Sequence, residues 1–268
     1  RDLFRNAVEF SEDAEGNRKL IRYFSELQQQ GEQDLPPKNL LRYAFKMATG
    51  SGKTYAMALI IVWSYFNNIR EKSNRYPNNF LIIAPNVIVY ERLAKDFADN
   101  KIFYSLPLIP TSWRPLWNLK VTLREDESPL QPFGNLIVNN IQQLYEARRT
   151  EELPKNIVDE ILGKKPQKDL TKSPEILIDK IKKLDNIMVI NDEAHHVHDE
   201  DMQWHKTLMA IHNSIGINLW LDFSATPKTQ TGTYYPWIIV DYPLAQAVED
   251  RIVKAPLIVH RVGKEDPE

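Results

Sequence analysis

"FKMATGSGKTYAMALIIVW", residues 45–63, decides the fold of this chain. An apolar run closes in Gly50-Ser51-Gly52-Lys53-Thr54, and a second apolar run opens at once. That order is the context the phosphate-loop pattern G-x-x-x-x-G-K-[ST] requires: a strand, a glycine turn, then a helix whose N-terminal N–H groups and dipole attract phosphate. Met47 stands where the pattern has its first glycine. The position belongs to the handover from strand to loop, before the cradle, and a methionine fits there as long as its φ stays negative. Thr49, Gly50, Ser51, Gly52, Lys53 and Thr54 are the candidate nucleotide-binding residues. Lys53 would reach the terminal phosphates and the Thr54 hydroxyl would hold Mg²⁺. The plainer reading, a glycine turn with a lysine nearby, leaves the placement between two apolar runs unexplained.

Working outward, the runs "LLRYAFKM", "FLIIAP", "NLIVNN", "NIMVIND" and "NLWLDFS" are short, continuous and bounded by turn or polar residues. Continuous rather than alternating apolar runs are the mark of strands buried on both faces of a parallel sheet. "GKTYAMALIIVWSYFNN" and "VIVYERLAKDFADN" read as helices between them, so the pattern predicts an α/β fold, a mostly parallel sheet flanked by helices. Residues 1–38 read as a charged helical lead-in, 39–245 as the main domain and 246–268 as an exit segment. Within the domain, residues 145–186 are charged and punctuated by proline, which predicts a surface insertion of helices and loops.

"NIMVINDEAHHVHDE", residues 186–200, is a strand ending in carboxylates. A phosphate loop needs such a partner, one carboxylate for the Mg²⁺ shell and a second to orient the attacking water. Asp192, directly after the apolar run, suits the metal; Glu193 suits the water, and Lys53 completes the catalytic set. His195, His196, His198 and His205 with Asp199 offer a competing zinc reading, although their spacing matches no common zinc pattern. The chain has no cysteine, which excludes disulfides and thiolate metal sites. Its formal charge of −2 provides no global basic field, so contact with nucleic acid must come from a local face. No secretory signal and no 18-residue apolar run is present, which predicts a cytoplasmic protein with no membrane partner. Trp113 and Trp117 in "TSWRPLWN" read as loop packing ahead of base stacking.

"MATGSGKT", "NDEAHH" and "DFSATP", in that order, resemble the first three motifs of superfamily 2 helicases and translocases. With the flanking "PWIIVDYPLAQAVEDRIVKAPLI", the chain is most similar to the res subunit of type III restriction enzymes, over roughly residues 39–260. The resemblance implies a RecA-like P-loop NTPase domain that binds ATP and Mg²⁺ and acts on duplex DNA, with a modification (methyltransferase) subunit among its partners. It implies that His195, Ser224, Ala225 and Thr226 couple the ATP site to the nucleic-acid face. It also implies that Pro85, Asn86, Asn139 and Asn140, read as lying just past two strand carboxyl ends, contact the nucleic-acid backbone. The second motor domain and the nuclease domain of that family have no counterpart in these 268 residues, which predicts a piece of a longer protein that hydrolyses ATP weakly alone. An RNA helicase, or a nucleotide-dependent switch or scaffold that never moves on nucleic acid, fits the same core motifs.

Overall fold

The computed structural model describes residues 39–254, apart from 125, 127, 142–176, 178–179, 195–199, 229–231, 233 and 236. Each of the five apolar runs forms a strand: β1 (Arg42–Met47), β2 (Asn79–Ala84), β4 (Asn135–Asn140), β5 (Ile187–Asp192) and β6 (Ile217–Ser224). Two strands escaped the sequence reading, β3 (Lys120–Thr122) and β7 (Ile238–Tyr242). All seven lie in one sheet of order β3-β4-β2-β5-β6-β1-β7, and every pairing is parallel. Helices among the described residues include α1 (Lys53–Glu71), α2 (Val87–Phe97), α3 (Lys101–Ser105), α4 (Glu200–Ile215) and α5 (Leu244–Glu249). None of the helices among the described residues is long and apolar enough to cross a membrane.

Alternate residues of each central strand enter different cores, as a period of two requires. Phe80 and Ile82, Met188 and Ile190, and Leu219 and Leu221 join Met57, Ile61 and Tyr65 of α1 in the first cluster. Leu81 and Ile83, Val189 and Trp220 join Leu208 and Ile211 of α4 in the second, and Ile217 joins them because the β5–β6 register shifts between Ile187 and Met188, which breaks the alternation at the start of β6. Apolar side chains on both faces explain why these strands read as unbroken apolar runs.

The far end of the supposed surface insertion belongs to the core. Leu177, Ile181 and Leu184 are buried in the second cluster, at i, i+4 and i+7 spacing. Residues 180–182 are helical, and the charges between these positions concealed an apolar stripe. The rest of the insertion, residues 145–176, and the lead-in 1–38 lie outside the described residues. Trp113 and Trp117 are packing residues. The Trp117 ring lies 4.8 Å from both Tyr65 and Phe103, its indole N–H donates to Asn100 Oδ1 at 3.1 Å, and Trp113 packs on Phe66 at 5.0 Å.

The strand order positions the site. Both β6 and β5 lie between β1 and β2, so the crossover through α1 spans two strands. The N-terminus of α1 thus stands at the carboxyl ends of the strands it crosses, where ligands of open α/β sheets gather.

Candidate active site

The loop from β1 to α1 is built for close approach by a ligand. Gly50 has φ 78 and Gly52 φ 97, a left-handed conformation in which a Cβ would be strained. The carbonyl of Ala48 accepts from the Ser51 hydroxyl at 2.6 Å and from the Ser51 N–H at 3.2 Å, which fixes the curl. Met47 is the last residue of β1 and is not among the residues of positive φ, so the missing glycine leaves the cradle intact. Lys53 is the first residue of α1, and its side chain is buried.

Facing it is the end of β5. Lys53 Nζ lies 2.9 Å from Glu193 Oε1. Asp192 is fully buried; its Oδ1 accepts the Glu193 N–H at 3.0 Å and its Oδ2 accepts from Arg92 of α2 at 2.6 Å. Burial, and after it the adjacent Glu193 charge, push the Asp192 carboxyl above its ordinary range, against the pull of Arg92 and Lys53. Between the loop and Glu193 lies a cleft of about 250 Å³, lined by Thr49, Gly50, Gly52, Lys53, Thr54 and Glu193 together with Arg92, Asp96 and Lys101. The last three residues carry no motif letter. Arg92 and Asp96 are a helical i, i+4 pair, so the helical period of "VIVYERLAKDF" was the one signal available for them.

The end of β6 is tied to this turn, for the Phe223 carbonyl accepts the Ala194 N–H at 3.1 Å. Ser224 ends the strand, fully buried, and its hydroxyl accepts the Thr226 N–H at 3.0 Å, with Ala225 half-buried and Thr226 exposed beyond it. His195 lies outside the described residues, as do His196, His198, Asp199 and the side chain of His205, and with them the zinc alternative.

Pro85, Asn86, Asn139 and Asn140 gather at the carboxyl ends of the neighbours β2 and β4, where Ile83 pairs with Asn139 and Ala84 with Asn140. The two asparagines of β4 lie within the strand rather than past its end, and their side chains are buried. Asn139 Oδ1 accepts the Asn140 N–H at 2.8 Å. Asn86 is the N-cap of α2, accepting the Val89 N–H at 2.9 Å. In these positions the Asn86 side chain serves a helix end and that of Asn139 the peptide that follows it.

A glycine loop opening a buried helix, and a lysine from that helix paired with an acidic strand end across an all-parallel sheet, define a RecA-like P-loop α/β domain. The chain belongs to the family described as type III restriction enzyme, res subunit, whose model matches residues 11–229. It is a helicase-like, ATP-dependent motor domain of the restriction-enzyme type, and membership of that family brings nucleic acid into its working context. No curated protein matches the chain.

Proposed function

We propose that this domain binds ATP with Mg²⁺ in the cleft between the glycine loop and the end of β5, and that hydrolysis drives movement along duplex DNA as part of a type III-like restriction subunit. The observation that carries the reading is the 2.9 Å pairing of Lys53 with Glu193 at the mouth of the glycine loop. In this reading the N–H groups of residues 50–54 take the phosphate oxygens, and Lys53 swings from Glu193 to the terminal phosphates. Glu193, released, orients the attacking water and takes its proton.

The donors at hand suit magnesium. A hydroxyl from Thr54 and the buried Asp192 carboxylate make a hard, all-oxygen set. When bound, the ion would offset the charge on the transferring phosphate. Arg92, held to Asp192 in this state, would yield to it. Ser224 and Thr226 reach the same turn through the Phe223–Ala194 bond, and that connection supports their coupling role. Pro85, Asn86, Asn139 and Asn140 would place backbone groups, together with the start of α2, against the nucleic-acid phosphates, a contact that positions without reading sequence.

The test is ATP hydrolysis by the full-length protein alone and with duplex DNA, single strands and RNA. Stimulation by duplex DNA is expected. Stimulation by RNA alone would reassign the substrate, and indifference to every nucleic acid would make the protein a nucleotide-dependent scaffold. Glu193→Gln should retain ATP and stop turnover; normal turnover would remove Glu193 from the water-positioning role.

A further inference from the structure

Glu193 has φ 50, the left-handed region that a side chain with a Cβ rarely adopts. Such a conformation is strained and persists only where the surroundings over-determine it. Three hydrogen bonds do so here. Asp192 Oδ1 accepts the Glu193 N–H at 3.0 Å, and the Phe223 carbonyl accepts the Ala194 N–H at 3.1 Å. The third comes from the connection between β6 and β7: the Tyr235 hydroxyl donates to the Ala194 carbonyl at 3.1 Å.

Tyr235 is itself held firmly. It is buried, and its N–H donates to the Pro227 carbonyl at 2.9 Å. Its ring stacks on Trp237 at 4.9 Å and 19°. Trp237 in turn donates from its indole to Asp222 Oδ2 at 3.1 Å, under the Arg42 guanidinium at 4.6 Å. The hydroxyl therefore reaches the turn from a fixed aromatic stack rather than from a free loop.

We infer that Tyr235 is a positioning residue for Glu193, setting the direction of its carboxylate through the Ala194 carbonyl; the inference rests on the water-positioning role proposed for Glu193. The hydroxyl donates to a backbone carbonyl and does not line the cleft. It fixes the peptide that follows Glu193, and a displacement of about 1 Å at such a group can cost up to about 100-fold in rate. Neither the glycine loop nor Lys53 takes part in these three hydrogen bonds. Loss of the hydroxyl should therefore slow hydrolysis and spare binding.

The experiment compares full-length wild type, Tyr235→Phe, Glu193→Gln and the double variant for single-turnover hydrolysis, ATP affinity by fluorescent-nucleotide titration, and thermal unfolding. Tyr235→Phe should lower turnover about tenfold and leave ATP affinity within about twofold. Added to Glu193→Gln it should lower turnover no further, since both act through one group. Unchanged turnover, or turnover and affinity falling together, overturns the inference. Should Tyr235→Phe fail to fold, Trp237→Phe, which keeps an aromatic ring against Tyr235, carries the same test: slower turnover at unchanged affinity supports it, and any other result overturns it. Normal turnover by Glu193→Gln would instead defeat the proposed role of Glu193, whereas an inactive Glu193→Gln beside a normal Tyr235→Phe defeats only the part given to Tyr235.

Discussion

Arg42–Asp222 and Lys53–Glu193 are both pairs of a cation with a carboxylate in one sheet domain, and they are built differently. Asp222 is fully buried and takes four donors, Arg42 at 2.7 Å, Trp220 at 2.8 Å, Asn191 at 2.9 Å and Trp237 at 3.1 Å. The Arg42 guanidinium lies 4.1 Å over the Trp220 ring and 4.6 Å over that of Trp237. Lys53 and Glu193 meet at 2.9 Å on the wall of a cleft, at a glycine loop and beside a carboxyl whose proton affinity is raised. The first pair is saturated by its own neighbours and joins β1, β5, β6 and the approach to β7. The second borders space that a charged ligand could enter. Saturation marks a charge kept for the fold, and an opening beside a charge marks one kept for chemistry.

The largest effect should come from breaking the saturated pair. Asp222→Ala leaves Arg42 without its carboxylate and should lower stability by about 3–5 kcal/mol in urea titration, with ATP affinity of the folded protein nearly unchanged. A stable Asp222→Ala variant that had lost ATP binding would reverse the comparison. Next, Lys53→Ala should weaken ATP at least about 100-fold, near 2.7 kcal/mol, with a smaller loss of stability than Asp222→Ala, measured by nucleotide titration and unfolding in parallel. Asn86→Ala removes the cap of α2 and should cost about 1 kcal/mol of stability, the size expected of an asparagine that serves a helix end.

The smallest effect concerns pH. His212 is buried, its Nδ1 accepts the Ile217 N–H at 3.0 Å, and burial lowers its pKa from the ordinary value. The folded state thus disfavours the charged ring, so stability is full above about pH 6.5 and falls as acid protonates the unfolded chain preferentially. His212→Gln should flatten the slope of melting temperature between about pH 7.5 and about pH 6.

The central sheet was legible because a parallel strand covered on both faces has nothing but apolar residues to show. What escaped was written in mixed letters. β3 is three residues long, and β7 reads "IIVDY", apolar for only three residues before its exposed Asp241 and polar end. Leu177, Ile181 and Leu184 were hidden among lysines and acids, where a stripe emerges only once a helix aligns it. At the site, glycines, lysine and acids were legible because phosphate chemistry narrows those letters severely. Arg92 and Lys101 were not, since a cation on a helix resembles any solvated one until tertiary packing aims it. Tyr235 was beyond reach for the same reason, being brought to Ala194 by the path of the chain alone.

The polarity of the sheet gives the chain two unlike doorways. It comes in through Arg42, at the end of β1 remote from the glycine loop, and goes out past Tyr242, whose carbonyl accepts the Ala48 N–H at 3.0 Å. A Cβ built on Gly50 would lie 3.8 Å from a methyl of Val253. A spectroscopic label at Lys254 should therefore register nucleotide arriving, while one at Leu40 stays silent.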